Sequence, residues 1–316
     1  MRLHRRTLLS AAAALAVTGA NAKAAETFTV MLDWFVNPDH APLFTAKYIG
    51  AFAKAGLDVN LVAPTDPDLP PRLLAAGKAD VALSYQTELY LLVDQGLPIR
   101  RSGTLIDKPL NTLTALAKSG IKKLADFKGR KIGYSVAGVE DVLIATMLGT
   151  VGLTLKDVTL VNVNFNLVTS LMSREVDGVI GTYRTYEDIQ LAQAGLDPVI
   201  FAPEDYGVPA SDELIIMSNA SALDDPRLPK FLAAVQEGAN YLVKNPAAMW
   251  EKFVQENSTL NDKLDKTSWF TLPPYFAQDP FYLDAARYET YRDFMFKSGL
   301  IKKSLPLSNY AVTIKT

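Results

Sequence analysis

Between residues 31 and 44 the chain reads M-L-D-W-F-V-N-P-D-H-A-P-L-F. Asp33, Trp34, Asn37, Asp39 and His40 thus bring two carboxylates, an indole, an amide and an imidazole into one short segment. An Asp–His pair can do acid–base work or activate a nucleophile. The same residues without a nucleophile make a recognition surface, a flat apolar plate with a polar rim. His40 is the one histidine outside the first 24 residues, and no nucleophile stands at a recognisable spacing from it. Each residue also has a plainer role. Trp34 can cap a strand as core, and His40 can satisfy a nearby backbone group. Asp39 reads as the N-cap of the following helix. Asn37 precedes a proline and is therefore extended, which leaves its amide free to pair with a ring nitrogen or an amine.

Four further segments sit where ligands meet open α/β sheets, at the carboxyl ends of strands. Ser84-Tyr85-Gln86-Thr87-Glu88 offers Tyr85 as a second aromatic wall, or a turn and cap. Tyr134-Ser135-Val136-Ala137-Gly138 offers Tyr134 and free helix N–H groups that suit an anion or a polar substituent. Its glycine spacing is not a dinucleotide fingerprint. Gly181-Thr182-Tyr183-Arg184-Thr185-Tyr186-Glu187 offers Tyr183, Tyr186 and a carboxylate that can accept from an aminated heterocycle. Alone, Glu187 is equally a partner of the helix dipole. Asp205-Tyr206-Gly207-Val208-Pro209 places Tyr206 at a rigid turn.

The elements that must hold these residues alternate strand and helix. Strands are expected at 28–32, 59–62, 81–83 and 99–106, with helices over 42–55, 69–76 and 88–94 between them. A second run of the same kind has extended segments at 113–117, 131–134, 158–163, 179–180 and 199–201. Its helices fall at 139–151, 167–174 and 186–194. Such alternation implies βαβ units. Lys78-Ala79-Asp80-Val81-Ala82 echoes Glu175-Val176-Asp177-Gly178-Val179, each an Asp leading into a buried strand, so two similar lobes are expected. After about residue 218 only helices follow, at 225–243, 246–255, 262–270 and 280–298, a tail expected to pack on lobe one. Crossing strands near 107–117 and 203–216 are expected to join the lobes. The expected division is 25–110 with 214–316 as lobe one, and 111–213 as lobe two.

Residues 1–24 read as a signal peptide: Arg2, Arg5 and Arg6, an apolar run from Leu8 to Val17, then small residues around Ala20, Ala22 and Ala24. The apolar run is short for a membrane span. Arg5-Arg6 leaves both the general and the twin-arginine export routes open. Beyond this leader 28 basic residues face 34 acidic ones. That balance argues against nucleic acid as a partner. There is no cysteine, which excludes thiol catalysis and cysteine metal sites, and one remaining histidine excludes a multi-histidine metal site. No cofactor and no metal is expected.

The chain resembles the NMT1/THI5-like group of periplasmic solute-binding proteins that serve ABC transporters. The resemblance runs through Asp33-Trp34, Asn37, His40-Ala41-Pro42-Leu43-Phe44, Gly77-Lys78-Ala79-Asp80, Lys128-Gly129-Arg130-Lys131-Ile132-Gly133-Tyr134 and Tyr206-Gly207-Val208-Pro209. The G-K-A-D and K-G-R-K-I-G-Y segments are shared with sulfonate and nitrate binders. D-W-x-x-N-x-x-H and Y-G-V-P are similar to the branch that binds a formylated aminomethylpyrimidine, a thiamine precursor. The resemblance implies a type II, two-lobed α/β fold that closes by a hinge. It also implies ring stacking on Trp34, hydrogen bonds from Asn37 and Glu187, and Tyr85 and Tyr186 as walls. The implied partner is an ABC permease, and a monomer is expected. Riboflavin and alkylsulfonates are the alternative ligands. The same family holds a pyrimidine synthase that uses pyridoxal phosphate, with a lysine and, four residues on, a histidine after the third strand. Those positions are Ser84 and Glu88 here, so that chemistry lacks its groups.

Overall fold

The computed structural model describes residues 25–315; the leader reading falls outside them. The first run comprises β1 (Glu26–Met31), α1 (Ala41–Tyr48), α2 (Ala51–Lys54), β2 (Leu57–Val62), α3 (Pro70–Ala75), β3 (Val81–Ser84), α4 (Gln86–Asp94) and β4 (Ile99–Ile106). The second comprises β5 (Asn111–Leu116), β6 (Lys131–Tyr134), α5 (Val139–Gly149), β7 (Thr159–Asn162), α6 (Leu167–Met172), β8 (Gly178–Tyr183), α7 (Glu187–Gln193) and β9 (Pro198–Phe201). The chain then returns through β10 (Leu214–Asn219) and ends in α8 (Arg227–Lys244), α9 (Pro246–Glu256), α10 (Lys263–Thr271) and α11 (Ala285–Lys297).

Two five-stranded sheets result, ordered β2-β1-β3-β10-β4 and β7-β6-β8-β5-β9. They are the same design. In each, three parallel strands are followed by an antiparallel strand that has crossed from the other lobe: β10 in the first, β5 in the second. The echoed aspartates occupy equivalent places. Asp80 accepts from Thr29 N–H at 2.7 Å, and Asp177 accepts from Lys131 N–H at 2.9 Å, each bracing a neighbouring strand, β1 in its middle and β6 at its start. β3 is buried along its whole length, whereas the edge strand β2 alternates apolar with exposed residues, as expected for central and edge positions.

The structure differs from the sequence reading in three places. The helix expected over 42–55 is broken at Gly50, whose φ of +72° ends α1 before α2 begins. The crossing strand expected near 203–216 falls later, at residues 214–219, as β10 inside the first sheet. The tail packs α8 against α1 and α2, as expected of lobe one, but α10 also reaches α7 of lobe two.

The α1–α8 contact is unusually close. A Cβ on Gly238 would stand 2.4 Å from the Pro42 carbonyl oxygen and 2.8 Å from Ala46 Cβ. Backbone cannot retreat as a side-chain tip can. Gly238→Ala is therefore expected to destabilise the protein by about 1–3 kcal/mol, measured by urea denaturation. An unchanged midpoint would show that the helices separate freely here.

Candidate functional site

Between the two sheets lies a cleft lined by residues of both lobes. Lobe one contributes Asp33, Trp34, Asn37, Asp39 and Tyr85; lobe two contributes Tyr183, Tyr186 and Glu187, with Asn111 and Glu140. Seven of the sequence-predicted residues thus meet at one place: Asp33, Trp34, Asn37, Tyr85, Tyr183, Tyr186 and Glu187. The other three do not line it. His40 is fully buried behind Asp33. Tyr134 ends β6 half-buried, packed into the core. Tyr206 packs edge-on against Phe201 with ring centroids 6.1 Å apart.

The strand β1 ends just before Asp33, and a short 3-10 turn over Pro38–His40 leads into α1. Asp33 is pinned on both oxygens. Oδ1 meets His40 Nε2 at 3.0 Å, and Oδ2 accepts from the Tyr85 hydroxyl at 3.1 Å. His40 Nδ1 accepts from Asn37 N–H at 3.4 Å, so its ring proton sits on Nε2 and is given to Asp33. Both ring nitrogens are used within the protein, which makes His40 a strut for Asp33. The sequence reading of Asp39 as N-cap is corrected. Asn37 is the cap: its Oδ1 accepts from Asp39 N–H at 2.7 Å, while its Nδ2 donates to the Phe35 carbonyl at 3.1 Å. The Asn37 amide is therefore largely committed to its own turn, with one N–H left.

Trp34 is 9% exposed and belongs to a cluster with lobe-two residues, including Leu167 and Val163. Its ring meets Phe165 edge-on, with centroids 4.5 Å apart. The indole Nε1 has no hydrogen-bond partner among the described residues. The plate expected on lobe one is thus also a seam between lobes.

Three carboxylates of the cavity are hard to ionise. Burial, with Asp33 close by, holds Asp39 well above the usual carboxylate range. Burial raises Glu140 likewise, against the pull of Val136 N–H, which donates to it at 3.1 Å. Burial pushes Glu187 to about 7, opposed by Tyr183 N–H at 2.8 Å. One Asp39 oxygen is buried without a partner among the described residues. The reading of residues 134–138 as a free anion site is also corrected. Val136 N–H is taken by Glu140, and Ala137 N–H by Asp68 Oδ1 at 3.0 Å across the lobes.

Sequence reasoning missed Glu140, Asn111, Phe165 and Asp265. Asp265 on α10 accepts from the Tyr186 hydroxyl at 3.2 Å. Gln193 donates to Thr267 at 3.1 Å nearby. Tyr186 thus lines the cavity with its ring and ties the lobes with its hydroxyl. Tyr186→Phe keeps the ring and removes the tie. A hydrogen bond of this kind contributes about 0.5–1.5 kcal/mol, so ligand is expected to bind roughly 3- to 10-fold more weakly. Stopped-flow fluorescence should place the loss mainly in a faster dissociation rate; unchanged dissociation would exclude the tie from closure.

Set against known proteins, the family described as NMT1/THI5 like matches residues 37–249. A Haemophilus influenzae protein named for thiamine biosynthesis is 47% identical over 293 residues, covering 92% of this chain and 93% of that one. The formylaminopyrimidine-binding protein of Halalkalibacterium halodurans is 37% identical over 231 residues, covering 72% and 70%. More distantly, the 4-amino-5-hydroxymethyl-2-methylpyrimidine phosphate synthase of Uromyces fabae is 27% identical over 267 residues, covering 80% and 78%. Among solved structures, the alkanesulfonate-binding protein SsuA of Xanthomonas axonopodis superposes with a TM-score of 0.71 at 13% identity, covering 90% and 98%. That likeness places the two sheets in the periplasmic-binding-protein fold.

Proposed function

The chain belongs to the NMT1/THI5-like family, and on that premise we propose that it is the extracytoplasmic solute-binding component of an ABC importer, binding a thiamine pyrimidine precursor. One observation carries the ligand class. The cavity is walled by Trp34, Tyr85, Tyr183 and Tyr186 and carries Asp33, Asp39, Glu140 and Glu187, with no lysine or arginine among its described lining residues. A flat ring suits the aromatic walls. Carboxylates suit an exocyclic amine or a protonated ring nitrogen, whereas an anion would want a guanidinium. The relative that binds formylaminopyrimidine supports the same choice.

In this reading Trp34 and Tyr85 hold the ring from lobe one, and Glu187 accepts from its amino group on lobe two. Asn37 offers its remaining N–H. Asp33 acts through Tyr85 by fixing the direction of its hydroxyl. The protein is a binder, not a synthase. The resemblance implies that Ser84 and Glu88 take the places of the synthases' lysine and histidine, and here they are hydrogen-bonded to one another. The leader reading of residues 1–24 supports a location outside the cytoplasm, where the protein would deliver ligand to a permease.

A thermal-shift screen with aminopyrimidines, flavins, alkanesulfonates and polyamines tests the ligand class. Ligand at 100 times its Kd adds about 2.7 kcal/mol of stability. Aminopyrimidines are expected to shift the melting temperature; a shift with riboflavin or a sulfonate, and none with pyrimidines, would overturn the assignment.

A further inference from the structure

We propose that the cleft is built to refuse anions, so that the protein takes the dephosphorylated pyrimidine and rejects its phosphate ester. The inference rests on the pyrimidine reading above and adds the charge its substituent must have. Helix starts and arginines are the usual ways to hold a phosphate or sulfonate. Here the two arginines near the cleft are taken by carboxylates of the protein, and carboxyl groups stand beside the helix starts.

The pattern repeats three times. Three helices near the cleft, α4, α5 and α7, have a glutamate bonded to a group four residues back, at the end of the preceding strand or loop. Glu88 on α4 accepts from the Ser84 hydroxyl, Glu140 on α5 from Val136 N–H, and Glu187 on α7 from Tyr183 N–H. On α5 the next amide is also taken, by Asp68. At α5 and α7 the amide just ahead of the helix is thus already given to a carboxyl of the protein.

The arginines are committed in the same way. A second, narrow space adjoins the ring cavity, sharing Tyr85, Asn111 and Val139 with it, and is bounded by Glu204, Asp212 and Glu213. A ring substituent directed there meets those three carboxyl groups. Arg184 pairs with Glu204 at 2.8 Å and donates to the Leu110 and Asn111 carbonyls. Arg287 pairs with Asp212 at 2.5 Å and donates to the Asp107 carbonyl. Glu213 is used by the Leu110 and Asn111 amides at 2.5 and 3.0 Å. A phosphate here faces carboxylates, or forces them to take up protons, and either outcome costs affinity. A hydroxyl, an amine or a formamide meets acceptors instead.

Isothermal titration of the mature protein with 4-amino-5-hydroxymethyl-2-methylpyrimidine and with its phosphate ester decides the matter. The alcohol is expected to bind at least ~100-fold more tightly than the ester. Affinities within about threefold of each other, well below what like-charge contact costs, would overturn the proposal and leave the pyrimidine reading standing. If no pyrimidine binds, the pyrimidine reading fails. Inorganic phosphate and an alkanesulfonate then test the refusal alone, and saturable binding of either overturns it. Glu204→Gln releases Arg184 and is expected to improve ester binding about tenfold relative to wild type; an unchanged ester affinity contradicts the role given to that pair. The wild-type comparison needs no variant, so it stands even if Glu204→Gln folds poorly.

Discussion

Trp34→Ala is expected to weaken ligand binding by about 2–4 kcal/mol, roughly 30- to 1,000-fold in Kd. Two losses add. The ring of the ligand loses its plate, and lobe two loses the side chain against which Phe165, Val163 and Leu167 close. The second loss favours an open cleft even without ligand. The two separate in Trp34→Phe, which restores part of the plate and part of the seam. Titration calorimetry should therefore rank wild type, Trp34→Phe and Trp34→Ala in falling affinity. Small-angle scattering of the unliganded proteins should show the alanine variant as the more open. Wild-type affinity in Trp34→Ala would remove the indole from the site.

Glu187→Gln is expected to make the unliganded protein more stable and the liganded one weaker. The carboxyl of Glu187 is raised from its ordinary 4.5 to about 7, first by burial. A raised carboxyl pKa means that the folded state disfavours the ionised form. Its favourable contribution is fully present below pH 4.5 and is lost as pH rises to about 7. The full shift corresponds to about 3 kcal/mol. Access of the group to the open cavity reduces this, and about 1–2 kcal/mol is expected to return at pH 8 in the glutamine variant. Glutamine loses the charged acceptor, however, and hydrogen bonds to charged groups contribute about 1.5–3 kcal/mol. Binding is then roughly 10- to 100-fold weaker. Urea denaturation at pH 5 and pH 8, with titrations at pH 8, measures both effects. Equal stability of the two proteins at pH 8 would show that Glu187 is not strained by its burial.

Much of this was legible because the two lobes repeat. Strand–helix alternation and the paired Asp80 and Asp177 signals marked both sheets. Trp34, Tyr85 and the 183–187 segment follow strand ends, where side chains face the crevice. What failed depended on directions that residue types do not carry. The Asn37 side chain turned back to Asp39 and Phe35, and His40 turned inward to Asp33. Tyr206 packs against Phe201 at the margin of the core. Glu140 was missed although its offset matches Glu88 and Glu187, each four residues after the group it bonds. Comparing the three helix starts would have found it. Asp265 had no local signal, since its role depends on α10 crossing to α7.

The carboxylate-lined aromatic cleft is proposed to hold an aminated pyrimidine. Isothermal titration of the mature protein with formylaminopyrimidine tests it most directly. One ligand per chain, with saturation lost or strongly weakened in Trp34→Ala, is the expected result. No heat with the pyrimidine, and saturable binding of an alkanesulfonate instead, would contradict it.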